Sequence, residues 1–201
     1  SYKGESLDEI FDLALKDTKC YAQENFHGVI IENHGDIPFN KPDDIGPETV
    51  AFMSVITNKL REKYKHLIFG INILANAAIP ALSVAMATNS SFIRVNQYTN
   101  AYIANEGFLE GLAAKITRYR KWIGADSISI FADVHVKHGS HAIVSDRSIE
   151  ELTKDNEFFG ADVLVATGQR TADSAEIEEL TKIKSATHLP VLIGSGISKD
   201  N

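Results

Sequence analysis

Short apolar runs recur along the chain, and each closes on small or polar residues before a helical stretch begins. They are His27-Gly-Val-Ile-Ile-Glu32, Leu67-Ile-Phe-Gly-Ile-Asn72, Ser91-Phe-Ile-Arg-Val-Asn96, Ser127-Ile-Ser-Ile-Phe-Ala-Asp133, Asp162-Val-Leu-Val-Ala-Thr167 and Pro190-Val-Leu-Ile-Gly-Ser195. Near-continuous apolar strands alternating with helices are the mark of a buried parallel sheet. Polar groups that gather where such strands end gather on one face of it, and in a (β/α) barrel that face carries the active site.

The stretches between the runs read as helices. Ser6 is placed as an N-cap with Glu9 at the capping-box position, and Leu7, Ile10, Phe11, Ala14 and Leu15 then share one stripe. Pro47 opens a helix over 47–65 with Glu48 in its first turn. Further helices are expected at 76–88, at 105–122 after a loop over 97–104, at 147–159 and at 174–186. Asn105 and Glu106 read as caps of the third of these. The chain then gives Gly194-Ser-Gly-Ile-Ser-Lys199, with a helix start expected near Ser198.

Six strands with an opening helix fit an α/β fold. A closed eight-stranded barrel commonly takes about 250 residues. The reading is therefore a (β/α)8 TIM-type barrel lacking its first and last strands, in one domain over 1–201 with no long linker. An open doubly wound sheet is the alternative, with exposed edges that invite aggregation.

Composition narrows the partners. The net charge of −7 argues against a nucleic-acid surface. No run of about 18 apolar residues is present to cross a membrane. The N-terminus reads as neither signal nor transit peptide; a soluble, cytoplasmic protein is expected, with an organelle or a peripheral membrane association as the alternatives. The single cysteine, Cys20, excludes an internal disulfide and reads as a small buried hydrophobe. The basic run Arg118-Tyr-Arg-Lys121 reads as an exposed helix side and Trp122 as a packing residue. His66 and His188 precede strands and are expected at the surface, away from any site.

Three constellations carry candidate chemistry. The Gly194-Ser195-Gly196 turn after a late strand lets the backbone approach an anion, and a following helix start would add free N–H groups. In Asp133-Val-His-Val-Lys-His138 a strand-end carboxylate, His135 on the same face, Lys137 and His138 suit acid–base chemistry or an anionic substrate. Asp133 and His135 are also the pair for a divalent metal, as a lesser alternative; no other cofactor is expected. The third group is Glu32, Asn33, His34 and Asp36. An acid ending a buried strand is costly unless it is paired or used. Arg94, in mid-strand, is the natural partner for Glu32 or Asp133, or else a grip for a substrate anion. Asn72 and Asn96 suit the orientation of a polyhydroxy ligand, and Thr167 and Gly168 end a further strand.

Taken in order, Gly28-Val-Ile-Ile-Glu-Asn-His-Gly-Asp-Ile-Pro-Phe39, Gly46-Pro-Glu-Thr49, Phe92-Ile-Arg-Val-Asn96, Ala132-Asp-Val-His-Val-Lys-His138, Thr167-Gly168 and Val191-Leu-Ile-Gly-Ser-Gly196 resemble the BtpA family over nearly the whole chain. That family is similar to ribulose-phosphate-binding (β/α) barrels. The resemblance implies a strand and a Pro-rich turn before Tyr2 and another strand after Asn201. It is named for a cyanobacterial factor needed for photosystem I accumulation, but relatives occur without photosynthesis.

Three readings follow. One is an isomerase, aldolase or lyase acting on a small phosphorylated metabolite. There Asp133 is the base, Lys137 or His138 the acid or electrostatic partner, Glu32 a further catalytic acid, and Gly194–Gly196 the phosphate cradle. Asn33, Asn72, Arg94, Asn96, His135, Thr167 and Gly168 complete its ligand site. The second is a non-catalytic biogenesis factor, with a second copy or a membrane complex as partner. The third is a metal-dependent hydrolase using Asp133 and His135.

Overall fold

The computed structural model describes residues 4–197; the helix start expected near Ser198 lies outside them. The chain divides into two compact units, one of residues up to Ile93 with 122–128, the other of 94–121 and 129 onward.

In the first unit, helix α1 (Leu7–Gln23) starts at the expected capping box. The Glu9 amide donates to Ser6 Oγ and the Ser6 amide to Glu9 Oε2 at 2.7 Å. The Ser6 amide, and then the Ser6 hydroxyl, which donates to Glu9 Oε2 at 2.8 Å, hold the Glu9 carboxyl below its ordinary range. Strand β1 (Gly28–Glu32), helix α2 (Pro47–Lys63), strand β2 (Ile68–Asn72) and helix α3 (Ala78–Ala87) follow, close to the expected bounds. Strand β3 (Phe92–Val95) gives its first half to this unit. β1 and β2 pair in parallel from Gly28↔Ile68 to Glu32↔Asn72, and β2 pairs with β3 through Gly70↔Phe92. A Cβ on Gly70 would stand 2.2 Å from the Phe92 ring, so glycine is what admits that aromatic.

The α1 stripe Leu7, Ile10, Phe11, Ala14 and Leu15 packs on Ile56, Leu60, Leu67 and Phe69, as the helical period requires. Cys20 departs from expectation and is exposed. The inward face continues from Leu15 through Thr18, 3% exposed, whose hydroxyl donates to the Ala14 carbonyl at 2.8 Å; Cys20 falls off that line. His66 is exposed, as expected.

The second unit holds the rest of β3, then strands β4 (Ala101–Ala104) and β5 (Gly107–Glu110), helix α4 (Ala113–Trp122) and strand β6 (Ser129–Asp133). Strand β7 (Gly139–Ser140), helix α5 (Ile149–Phe158), strand β8 (Val163–Thr167), helix α6 (Ile177–Ser185) and strand β9 (Val191–Gly194) complete it. Its main sheet runs β3-β6-β8-β9. The β6–β8 and β8–β9 pairings are parallel, from Phe131↔Val163 to Thr167↔Gly194. Ser148 caps α5, accepting from the Glu151 amide. Tyr98 is fully buried, donates to the Phe159 carbonyl at 2.8 Å, and has its phenol pushed up to about 12, chiefly by burial.

The expected loop at 97–104 and helix from 105 are replaced by a hairpin. β4 and β5 pair antiparallel from Ala101↔Glu110 to Ala104↔Gly107, with β7 on the other side of β4. Asn105 and Glu106 form its two-residue turn rather than a helix cap, and Gly107 supplies a φ of +95°. The hairpin buries Tyr102 against Leu109 across the pair, a period of two that wins over the helical reading. Trp122 also departs from expectation: it is 80% exposed, because it lies six residues beyond inward-facing Ile116 and so points off the packed stripe. In the basic run, Arg118 and Lys121 are exposed, but Arg120 bonds Asp162 at 2.8 Å.

The fold is therefore mixed α/β on a parallel sheet. Six parallel strands, not the eight of a closed barrel, lie among the described residues.

Candidate functional site

In the first unit the parallel register sets Glu32 directly beside Asn72, so the two strand ends offer their side chains together. Asn72 Nδ2 donates to Glu32 Oε2 at 2.6 Å. That bond fixes the amide's orientation, and Asn72 Oδ1, buried, has no hydrogen-bond partner among the described residues. His34 Nδ1 stands 3.7 Å from Glu32 Oε1, a loose ionic contact. Asn33 is used otherwise: its Oδ1 accepts from the Leu74 amide at 2.7 Å, and its Nδ2 donates to the Leu74 carbonyl and to Asp36 Oδ2. Its amide ties the loop after β1 to the loop after β2. A cavity of about 210 Å³ opens beside this tie, lined by Asn33, Asp36, Asn40, Glu48, Thr49 and Leu74, among others.

In the second unit Asp133 ends β6 with its side chain fully buried. Arg94, the mid-strand cation, grips it with Nε to Oδ1 at 2.9 Å and Nη2 to Oδ2 at 2.8 Å. Asn96 Nδ2 adds a longer bond to Oδ2, at 3.4 Å. Of the two acids open to Arg94 in the sequence, Asp133 is the partner. A fork-to-fork ion pair is how a buried carboxylate stays ionised. Both oxygens are then engaged, and Asp133 anchors Arg94. Asn96 repeats the feature seen at Asn72: its Oδ1 is buried and has no partner among the described residues. Asn156 of α5 donates to the Asp133 carbonyl at 3.3 Å and accepts from Thr99 Oγ1 at 2.8 Å, fixing the strand end from behind.

Past β6 the chain brings two imidazoles together. His135 Nδ1 stands 3.3 Å from Glu179 Oε2 on α6, and the His135 and His141 rings are 4.0 Å apart. His141 Nε2 is 2.8 Å from the Val136 carbonyl, which only accepts, so this nitrogen carries the proton. His141 also stacks on Tyr102. Burial pushes the His141 imidazole below its ordinary pKa, against the pull of the Val136 carbonyl. Thr167 Oγ1 donates to the His135 carbonyl at 3.4 Å. With Glu179 holding Nδ1–H, His135 Nε2 is placed to take or give a proton.

His138 goes elsewhere. Its φ is +65° and its Nε2 meets Thr171 Oγ1 at 2.9 Å. Burial, then the charges of Lys137 and Arg170, lower its pKa. The loop over 168–174 that receives it also meets the glycine turn. The Ala172 amide donates to Ser195 Oγ at 2.8 Å and Ser174 Oγ to the Gly196 carbonyl at 3.1 Å. A Cβ on Gly196, whose φ is +65°, would lie 2.4 Å from Asp173 and Ser174 backbone atoms; one on Gly168 would lie 2.5 Å from the Asp173 carbonyl oxygen. Gly196 of the expected anion cradle, and Gly168 beside Thr167, admit a neighbouring turn of the chain itself, while Gly194 has looser contacts.

Comparison with known proteins fits these motifs. The model of the BtpA family matches residues 1–201. The chain belongs to the BtpA family. Similar proteins include "Uncharacterized protein PH1209" of Pyrococcus horikoshii, 38% identical over 200 residues, which are 100% of this chain and 74% of the relative. "Uncharacterized protein F13E9.13, mitochondrial" of Caenorhabditis elegans is 38% identical over 97% of this chain and 72% of its own. "Photosystem I biogenesis protein BtpA" of Synechocystis is 32% identical over 98% of this chain and 68% of its own.

Within this BtpA-family chain, Asp133 and His135, the lesser alternative for a divalent metal, have other contacts. The Asp133 oxygens serve Arg94 and Asn96, and among the described residues no group of three or more His, Cys, Asp or Glu side chains is arranged to hold an ion. Nor, among the described residues, is any helix long and apolar enough to cross a membrane. Glu179 and Asn156 carry roles that the sequence reading missed. The available signal was spacing: Glu179 lies one turn before buried Ile183, and Asn156 one turn after buried Leu152, so both sit on packed faces despite their polarity.

Proposed function

We propose that this BtpA-family chain is the substrate-binding part of a (β/α)8 barrel enzyme that moves a proton on a small phosphorylated metabolite, as an isomerase or lyase does. The observation behind it is the His135–Glu179 pair: an imidazole with Nδ1 held by a carboxylate at 3.3 Å. On this reading His135 Nε2 takes the proton, and Glu179 steadies the imidazolium that forms. Asp133, expected as the base, instead positions Arg94. Asn96, with an unpartnered Oδ1, accepts from a substrate hydroxyl. The phosphoryl group lies beside Lys137, His138 and Arg170, near the Gly194–Gly196 turn; after burial, the charges of Lys137 and Arg170 lower the His138 pKa there. The protein is soluble and cytoplasmic on this reading.

Thermal shift of the full-length protein against sugar phosphates tests the binding step. A ligand at 100 times its dissociation constant adds about 2.7 kcal/mol of stability. Exchange of a substrate C–H with deuterated solvent, followed by NMR, tests the chemistry. It should proceed in the native protein and fall about 100-fold or more in His135→Gln, since general base catalysis contributes about that much. Full exchange in His135→Gln defeats the assignment. The second reading, a non-catalytic biogenesis factor, draws on the name of the Synechocystis relative. Stabilisation by no small molecule, together with capture of a membrane-complex subunit, favours it.

A further inference from the structure

We propose that the ends of β1 and β2 recognise a vicinal diol of a sugar or polyol, with Glu32 and Asn72 as the paired acceptors. Four observations converge. The two residues are in register on adjacent parallel strands. They are locked side by side by the 2.6 Å bond from Asn72 Nδ2 to Glu32 Oε2, which leaves one acceptor on each residue beyond that bond. Asn72 is 1% exposed and its Oδ1 has no partner among the described residues, an acceptor that they bury without satisfying. Glu32 Oε1 has His34 no nearer than 3.7 Å, and the Glu32 side chain is 30% exposed, so a ligand reaches it.

The surroundings are stiff in the way a binding site requires. Asn33 clamps both backbone groups of Leu74. Two strands and a side-chain tie therefore hold the acceptors before a ligand arrives.

The chemistry of the pair selects its ligand. Two acceptors and a negative charge repel a phosphate and need donors. A vicinal diol brings two O–H donors on neighbouring carbons. A hard divalent cation wants about six oxygen ligands, and here one carboxylate and one amide oxygen are on offer. Among the described residues no cluster of three or more metal-binding side chains supplements them. The inference needs binding only and stands whether or not His135 moves a proton.

The test uses ribitol, an uncharged polyol, in calorimetric titration and thermal shift of the full-length protein. Inorganic phosphate and magnesium chloride are run separately. The expected result is saturable binding of ribitol, weakened about tenfold or more in Glu32→Gln and in Asn72→Leu and unchanged in Cys20→Ala. Circular dichroism checks that the variants are folded, and Glu32→Gln, a near-isosteric change, keeps the test decisive if Asn72→Leu is not. Three results overturn the proposal: ribitol binding equally tight in Glu32→Gln, magnesium or phosphate binding that depends on Glu32, or no ribitol binding at all.

Discussion

Two carboxylates end strands in this chain, and the fold treats them differently. Glu32 and Asp133 each receive a hydrogen bond from an asparagine at a strand end, Asn72 at 2.6 Å and Asn96 at 3.4 Å, and each asparagine keeps an unpartnered Oδ1. There the likeness stops. The Asp133 side chain is fully buried and takes a two-pronged ion pair from Arg94; that of Glu32 is 30% exposed and its ionic contact is the loose one of His34, at 3.7 Å. Burial decides the difference. A carboxylate out of water must spend its acceptors on the fold to remain ionised, whereas one in partial contact with solvent keeps acceptors for a ligand. An acidic strand end in a sequence therefore marks a site only when the structure leaves it something to offer.

The sharpest test breaks the buried pair. Asp133→Asn takes from the Arg94 guanidinium, 15% exposed, the buried carboxylate that grips it through both oxygens, and should destabilise the protein by about 3–5 kcal/mol in urea unfolding. Replacing both partners with apolar residues, Arg94→Met with Asp133→Leu, should recover most of that loss, because no charge is left stranded. A double variant no better than the single one contradicts the ion-pair account. Next in size is Asn156→Leu, which strips the Asp133 carbonyl and Thr99 of a buried partner and should cost about 1–3 kcal/mol.

The same physics explains what could be read from the chain. All six apolar runs are strands within a residue or two of their expected bounds, because a strand of a parallel sheet is written in consecutive apolar residues, in the partly exposed β1 and β9 as in the buried strands between them. The hairpin of Ala101–Ala104 and Gly107–Glu110 escaped notice: four-residue strands carry one inward side chain each here, Tyr102 and Leu109, too few to show a period. Glu32, Asp133 and Arg94 were visible as charges at or near strand ends, but which acid takes Arg94 depends on register and burial. The partner of His135 lies 44 residues away on α6, a distance over which no local pattern speaks. The Gly194-Ser-Gly196 turn was legible as a close approach, though not what approaches it; residues 173–174 do.

The exposed member of the pair should respond mildly. Glu32→Gln keeps the shape and removes a charge that holds one neutral donor at a partly solvated site, so its stability cost should stay below about 1 kcal/mol. A loss as large as that of Asp133→Asn, measured in the same urea series, would erase the contrast on which the ligand assignment of Glu32 depends.

The smallest expected effect is a slope with pH, and it belongs to the region of Asp133. Burial holds the imidazoles of His141 and His138 below their ordinary 6.5 in the folded protein. Unfolding returns them to that value, so in the window just below 6.5 the unfolded chain binds more protons than the folded one. Stability is then at its full value above about pH 6.5 and declines as pH falls toward the folded pKa values. His141 faces His135, whose charge would push its pKa lower, and Glu179, whose charge opposes this, so the decline reports the balance at the proposed base. His141→Phe keeps an aromatic ring for Tyr102 to stack on and removes the titration. Melting temperatures measured from about pH 7.5 to pH 5.5 should fall less steeply in that variant than in the native protein. Glu32→Gln, measured over the same range, should leave the slope from these histidines in place. Parallel slopes in His141→Phe and the native protein would mean that His141 is not held neutral by its surroundings.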